Sequence, residues 1–167
     1  LDMGELVAVA SNNLGKPNNS PIYGGSAYYG PVQKQGFSHD PAKTKKLLQE
    51  AGYKGEKIVI LANKRPTVPS FNAAVVAQAM MQSAGINADI EVLDWATQLD
   101  RYNKGNFQMQ SFSYSARFDP ALGFEQFAGP KDRQPRKVWD NPQAQALIDK
   151  AMVTSDKAER QKLFDDL

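Results

Sequence analysis

DPAKTKKLLQEAGYKGEKIVILANKRP, residues 40–66, reads as a helix, a glycine stop, a strand and a loop ending in a lone arginine. Asp40 is placed to cap a helix whose first residue, Pro41, has no N–H to lose and a backbone angle already suited to the helix. Ala42, Leu47, Leu48 and Ala51 give that helix an apolar stripe, with Lys45 and Lys46 on its wet side. Gly52 is the expected left-handed stop. Lys57 to Ala62, KIVILA, is β-branched and barely alternates, which predicts a strand buried on both faces. Ligands of open α/β sheets bind at the carboxyl ends of such strands, and here that end carries Asn63, Lys64, Arg65 and Pro66.

The pattern returns once. Phe71 to Ala84 is helical, with Val75, Val76, Ala79, Met80 and Ala84 near a 3.6-residue spacing, and Gly85 stops it as Gly52 stops the first helix. Ile86 to Leu93, INADIEVL, then alternates as a strand. LLQEAGYKGEKIVIL and MMQSAGINADIEVL are thus two copies of one helix–Ala-Gly–strand unit. Two such units in succession predict parallel strands joined by crossover helices.

At 167 residues, with 41% hydrophobic and 23% charged residues, the chain suits one soluble α/β domain with a sizeable core. The net charge of +2 comes from scattered charges rather than a basic stripe, which argues against nucleic acid as a partner. The absence of cysteine excludes disulfides, thiolate metal sites and a cysteine nucleophile. The longest apolar runs fall far short of the ~20 residues that a membrane span needs. No signal-peptide pattern opens the sequence: Asp2 already caps a helix, with Glu5 at capping-box spacing. The final helix, Lys157 to Leu167, has no stop signal. The expectation is a piece of a longer chain.

Glu5 to Asn12 reads as a short helix. Leu14 to His39 is a long extended loop, rich in glycine and proline, whose Tyr23, Tyr28, Tyr29 and Phe37 are suited to anchor it on its own domain or on another. Trp95 to Lys104 is a short helix, and Phe107 to Tyr114 a third strand running into Ser115, Ala116, Arg117, Phe118, Asp119 and Pro120. Phe124 to Ala128 reads as helical, as does Pro142 to Val153 behind Asn141, and Ser155 or Asp156 caps the last helix.

No H-E-x-x-H, G-x-S-x-G, P-loop or paired metal-ligand spacing occurs, so no metal and no cofactor are expected. His39, the single histidine, reads as a surface residue before a helix cap. Asp94 and Asp119, near the ends of two strands, are the best candidates for an acid/base pair in a small α/β enzyme, and read equally as a helix cap and a turn residue. Arg65, between a buried strand and a proline-stiffened loop, reads either as a fixed receptor for a carboxylate or as half of a surface salt bridge. Arg117 has the same two readings, and Trp95, Tyr114 and Phe118 either wall a pocket or belong to the core.

DPAKTKKLLQEAGY followed by a strand, AMMQSAGINADIEVLDWATQLDRYNKGNFQM, SDKAERQKLF and the opening LDMGELVAVASNNLGKPNNSPI together resemble the second lobe of the bacterial extracellular solute-binding proteins of family 5. These are the peptide- and nickel-type receptors of ABC importers. The resemblance implies a periplasmic-binding-protein-like α/β lobe with a mixed sheet and helices on both faces. It also implies a periplasmic or lipid-anchored monomer, a peptide or other small ligand held between two lobes, and a membrane permease as partner. Arg65-Pro66 stands where dipeptide-binding members receive the ligand carboxylate, and Asn63 and Trp95 are expected among the ligand-binding residues. Where those members hold the ligand's amino group with an aspartate this chain has Ala116, with Arg117 beside it in the loop Tyr114 to Asp119. An anionic or carboxylate-bearing solute fits two arginines better than a plain dipeptide does. No catalytic residue is expected.

Overall fold

The computed structural model describes residues 1–167. Its elements are α1 (Met3–Ser11), α2 (Pro31–Gln35), α3 (Pro41–Glu50), β1 (Ile58–Ala62), α4 (Ser70–Ser83), β2 (Ala88–Val92), α5 (Trp95–Asn103), β3 (Met109–Gln110), α6 (Pro120–Glu125), α7 (Pro142–Val153) and α8 (Lys157–Asp166). None of the helices is long and apolar enough to cross a membrane. The chain forms two compact units. The first comprises Leu1–Pro17, Ser38–Tyr102 and Asn106–Tyr114; the second comprises Asn18–Phe37, Asn103–Gly105 and Ser115–Leu167.

In the first unit the strands lie in the order β2-β1-β3. Both pairings are parallel, with Ile58 opposite Ala88, Ala62 opposite Val92, and Ile60 opposite Met109. β1 is central, as its unbroken apolar run requires. Its residues Ile60 and Ala62 pack with Ala74 and Met81 of α4 and with Ala88. Leu61 and Asn63 alternate to the opposite face, where Asn63 meets Gln98 of α5. Ile60 and Leu61 are 2% and 1% exposed, each burial contributing about 1.5–3 kcal/mol.

The third strand is shorter than its alternation suggests. The side-chain Oε1 of Gln108 accepts from the Val59 N–H at 2.9 Å, taking a place that a backbone carbonyl of a longer strand would fill. Backbone pairing covers only Met109 and Gln110 and closes with the Ser111 N–H, which donates to the Leu61 carbonyl at 2.9 Å.

The helix starting at Pro41 forms as expected: Asp40 Oδ1 accepts from Lys43 N–H at 2.8 Å, and Gly52 adopts φ +69°. Its expected buried stripe does not exist, since no α3 residue is buried and Leu47 is 51% exposed. Of the four apolar positions only Leu48 is half-buried, and the apolar face of the sheet is covered by α4. On α4 the buried side is Ala74, Val76 and Met81, while Val75 and Ala79 point outward, so the stripe is rotated from the one the spacing suggests.

The second unit is helical around Ile22, Ala121, Phe124, Ile148, Ala151, Leu163 and Phe164. Asp119 and Pro120, readable as a turn, are the cap and first residue of α6, with Asp119 Oδ1 accepting from Ala121 N–H at 2.9 Å. α6 therefore starts earlier than the helix expected at Phe124 to Ala128. Arg160 of α8 grips the same carboxylate at 2.7 and 2.6 Å. Asn141 and Asp156 cap α7 and α8 as expected. The segment 14–39 is not wholly extended: it holds α2, and Ile22 is 1% exposed in this core.

Candidate functional site

At the carboxyl end of β1 the chain leaves the sheet through Asn63, 2% exposed, and turns into Lys64 and Arg65. Arg65 is half-buried. Its Nε donates to Asn63 Oδ1 at 3.0 Å, and its guanidinium carbon stands 3.9 Å from the centre of the Trp95 ring. The Asn63 amide NH2 donates in turn to Gln98 Oε1. Gln98, 0% exposed, donates through Nε2 to the carbonyls of Ser111 at 3.1 Å and Leu61 at 3.4 Å. Sequence reasoning passed over Gln98. The available signal was its spacing: Trp95, Gln98 and Tyr102 share one helix face, and a polar residue between two aromatics on a covered face needs partners.

A cavity of about 700 Å³ opens beside Arg65, walled by the end of α1, the loop after β1 and the first turn of α4. Asn12, whose φ of +50° ends α1 in the left-handed conformation that asparagine tolerates, turns the chain along one side of it. Lys64 and Arg65 both line the cavity and no Asp or Glu does. The Lys64 ammonium lies 4.6 Å from the centre of the Phe71 ring. α4 starts here without a side-chain cap, so the positive end of its dipole adds to the two cations.

Of the expected site residues, Arg65 therefore contacts two others, Asn63 and Trp95. Tyr114 is joined to Trp95 through Phe112, whose ring lies 5.3 Å from each. Ser115, Ala116, Arg117, Phe118 and Asp119 belong to the second unit. There Arg117 Nη1 reaches the Ser115 and Ala116 carbonyls only at 3.4 Å, and Phe118 is 99% exposed. Phe118 is thus no core residue. Asp94 caps α5, its Oδ1 accepting from Thr97 N–H at 2.9 Å and its Oδ2 from the Thr97 hydroxyl at 2.6 Å. Those bonds hold its carboxyl below the ordinary range, opposite to what a general acid requires. With Asp119 bound to Arg160, both carboxylates are engaged in helix capping.

The sequence pattern of the bacterial extracellular solute-binding proteins, family 5 (middle region), matches residues 1–135. The chain belongs to this family. Di/tripeptide-binding protein 4 of Pseudomonas aeruginosa (strain UCBPP-PA14) is 31% identical over 142 residues, which are 78% of this chain and 26% of that protein. The binding protein AgaA of A. tumefaciens R10, solved with agropinic acid, matches 99% of this chain and 35% of its own, with TM-score 0.83 and 27% identity. DppA of Helicobacter pylori, solved with the peptide STSA, matches with TM-score 0.84 over 99% of this chain and 33% of its own, and at 22% identity that likeness carries the fold alone. The family-5 chain spans about a quarter of the curated relative and a third of the solved ones. Its fold is the α/β lobe of periplasmic binding proteins, and its family is one of solute-binding proteins.

Proposed function

We propose that this family-5 chain is the second lobe of a two-lobed receptor of an ABC importer, and that Arg65 receives the carboxylate of a peptide-like or other anionic solute. The observation that carries the reading is the state of Arg65. One edge of its guanidinium is tied to Asn63 and one face to Trp95, while Nη1 and Nη2 donate to nothing in the chain. It stands with Lys64 in a cavity free of carboxylates. A guanidinium held by its own protein and left without an anion is suited to take one from a ligand. The names of the relatives support peptides and opine-like acids as the class to try first. Asn63 and Trp95 frame the site. The receptor is periplasmic or lipid-anchored, monomeric, and delivers its ligand to a membrane permease.

Calorimetry on the two-lobed receptor, with di- and tripeptides, opines and their neutral amides, tests this reading. The expected result is at least tenfold tighter binding of each acid than of its amide, as befits the charge-assisted bond lost. Equal affinities across all pairs would remove the carboxylate from the recognition.

A further inference from the structure

We infer that Gln98 is a positioning residue for this carboxylate site: acting through Asn63, it fixes Nε of Arg65 and leaves the Nη1–Nη2 edge as the docking edge. The inference rests on the carboxylate reading above and goes beyond it in naming which edge binds and what sets it.

The direction of the hydrogen bonds follows from their buried end. The Leu61 and Ser111 carbonyls can only accept, so the Gln98 carboxamide must turn its NH2 to them. Its Oε1 is then left facing Asn63 and can only accept from the Asn63 NH2. Asn63 Oδ1 is left facing outward, where the one donor in reach is Nε–H of Arg65, at 3.0 Å. Reversing either amide would set donor against donor or acceptor against acceptor in a space where both residues are at most 2% exposed, and burial without a partner is costly. Two backbone carbonyls at the ends of β1 and β3 therefore dictate, through two side chains, which edge of a half-exposed arginine is consumed.

The consequence is geometric. A carboxylate can bind a guanidinium side-on, through Nε and one Nη, or end-on, through Nη1 and Nη2. Asn63 occupies Nε and Trp95 covers one face, so a ligand carboxylate meets Arg65 end-on and in the plane of the guanidinium. A Gln98 serving only the strand-end carbonyls would leave its Oε1 unanswered. Asn63 answers it and carries the order on to the guanidinium.

The test uses the two-lobed receptor, labelled with 15N at arginine, with sodium acetate as the carboxylate probe and acetamide as its neutral control. The Arg65 Nε–H signal, assigned by its loss in Arg65→Lys, is expected to exchange slowly with solvent and to shift with acetate but not acetamide. Gln98→Leu should speed that exchange at least fivefold and weaken acetate about fivefold, within the range of coupling between groups that share one network. In the Arg65→Lys background, where there is no Nε to hold, the same change should alter acetate binding less than twofold. A general loss of packing would act equally in both backgrounds, and that result overturns the positioning role. An Arg65 Nε–H that exchanges as fast in the unmodified chain as those of exposed arginines overturns it as well, even where Gln98→Leu fails to fold. If acetate shifts no Arg65 signal, the carboxylate reading falls, and this inference with it. If acetate binds but Gln98→Leu leaves both exchange and affinity unchanged, the inference alone falls.

Discussion

The guanidinium of Arg65 rests 3.9 Å above the ring of Trp95, so the tryptophan that opens α5 is the platform of the cation at the end of β1. A cation over an indole gains about 0.5–2 kcal/mol, more as water is excluded. Trp95→Ala is therefore expected to weaken binding of an acidic ligand by roughly two- to thirtyfold, and Trp95→Phe by less. Each unit of the chain holds one tryptophan, Trp95 in the first and Trp139 in the second. With Trp139→Phe as background, ligand binding should change the fluorescence of Trp95. No change at saturating ligand would place the bound group away from the indole.

Lys137 is the counterpart in the second unit, a lysine only 1% exposed whose ammonium contacts the Glu125 carbonyl and, at 3.0 Å, its Oε1. Its stem also fills space beside Gly129. Lys137→Ala removes both the stem and the donor and should cost about 3 kcal/mol, as large-to-small changes at buried sites do. Lys137→Met restores the volume and should recover more than half, because the carboxylate left behind is partly exposed and can turn to water. Urea unfolding followed through Trp139 reads the difference. Equal loss in the two variants would mean that the charge, not the packing, does the holding.

What was legible in the sequence was local. The caps at Asp40, Asn141 and Asp156, the stops at Gly52 and Gly85, and the apolar run of β1 each depend on residues within one turn or one strand of themselves, and each forms where expected. What was not legible depends on competition between distant segments. Nothing in α3 says that α4 will cover the apolar face of the sheet, and nothing in FQMQSFSY says that Gln108 will spend its side chain on Val59. In the candidate site, Arg65 was legible because a strand end and a proline mark it. Gln98 was missed because its partners lie 35 and 13 residues away along the chain, at Asn63 and Ser111.

Asp94 offers a test in pH. Its carboxyl is held below the ordinary 3.8, first by the Thr97 hydroxyl and then by the Thr97 N–H. A depressed folded-state value means that the contribution to stability is complete above the unfolded value and is lost as pH falls through the folded one. Melting temperature should thus decline as pH drops below about 4, with Asp94 among the contributors. Asp94→Asn, which keeps a capping oxygen but cannot titrate, should flatten that decline while changing little at neutral pH. An acid limb of unchanged slope would show that other carboxylates carry it.

Arg65 itself carries the sharpest expectation. A charge-assisted hydrogen-bonded contact is worth about 1.5–3 kcal/mol, so Arg65→Ala in the two-lobed receptor should weaken an acidic ligand roughly ten- to a hundredfold. Arg65→Lys should recover only part of this, because an ammonium reproduces neither the planar two-point contact nor the bond from Nε to Asn63. Stability should fall by no more than about 1 kcal/mol, since the side chain is half-buried and forms no ion pair in the chain. A structural arginine would give the reverse pattern: a clearly lower melting temperature for Arg65→Ala, and unaltered affinity in the protein that remains folded. Melting and calorimetry on one preparation separate the two, because the outward-facing Asn63 Oδ1 can accept from water once the guanidinium is gone, whereas a ligand carboxylate left without its receptor loses affinity.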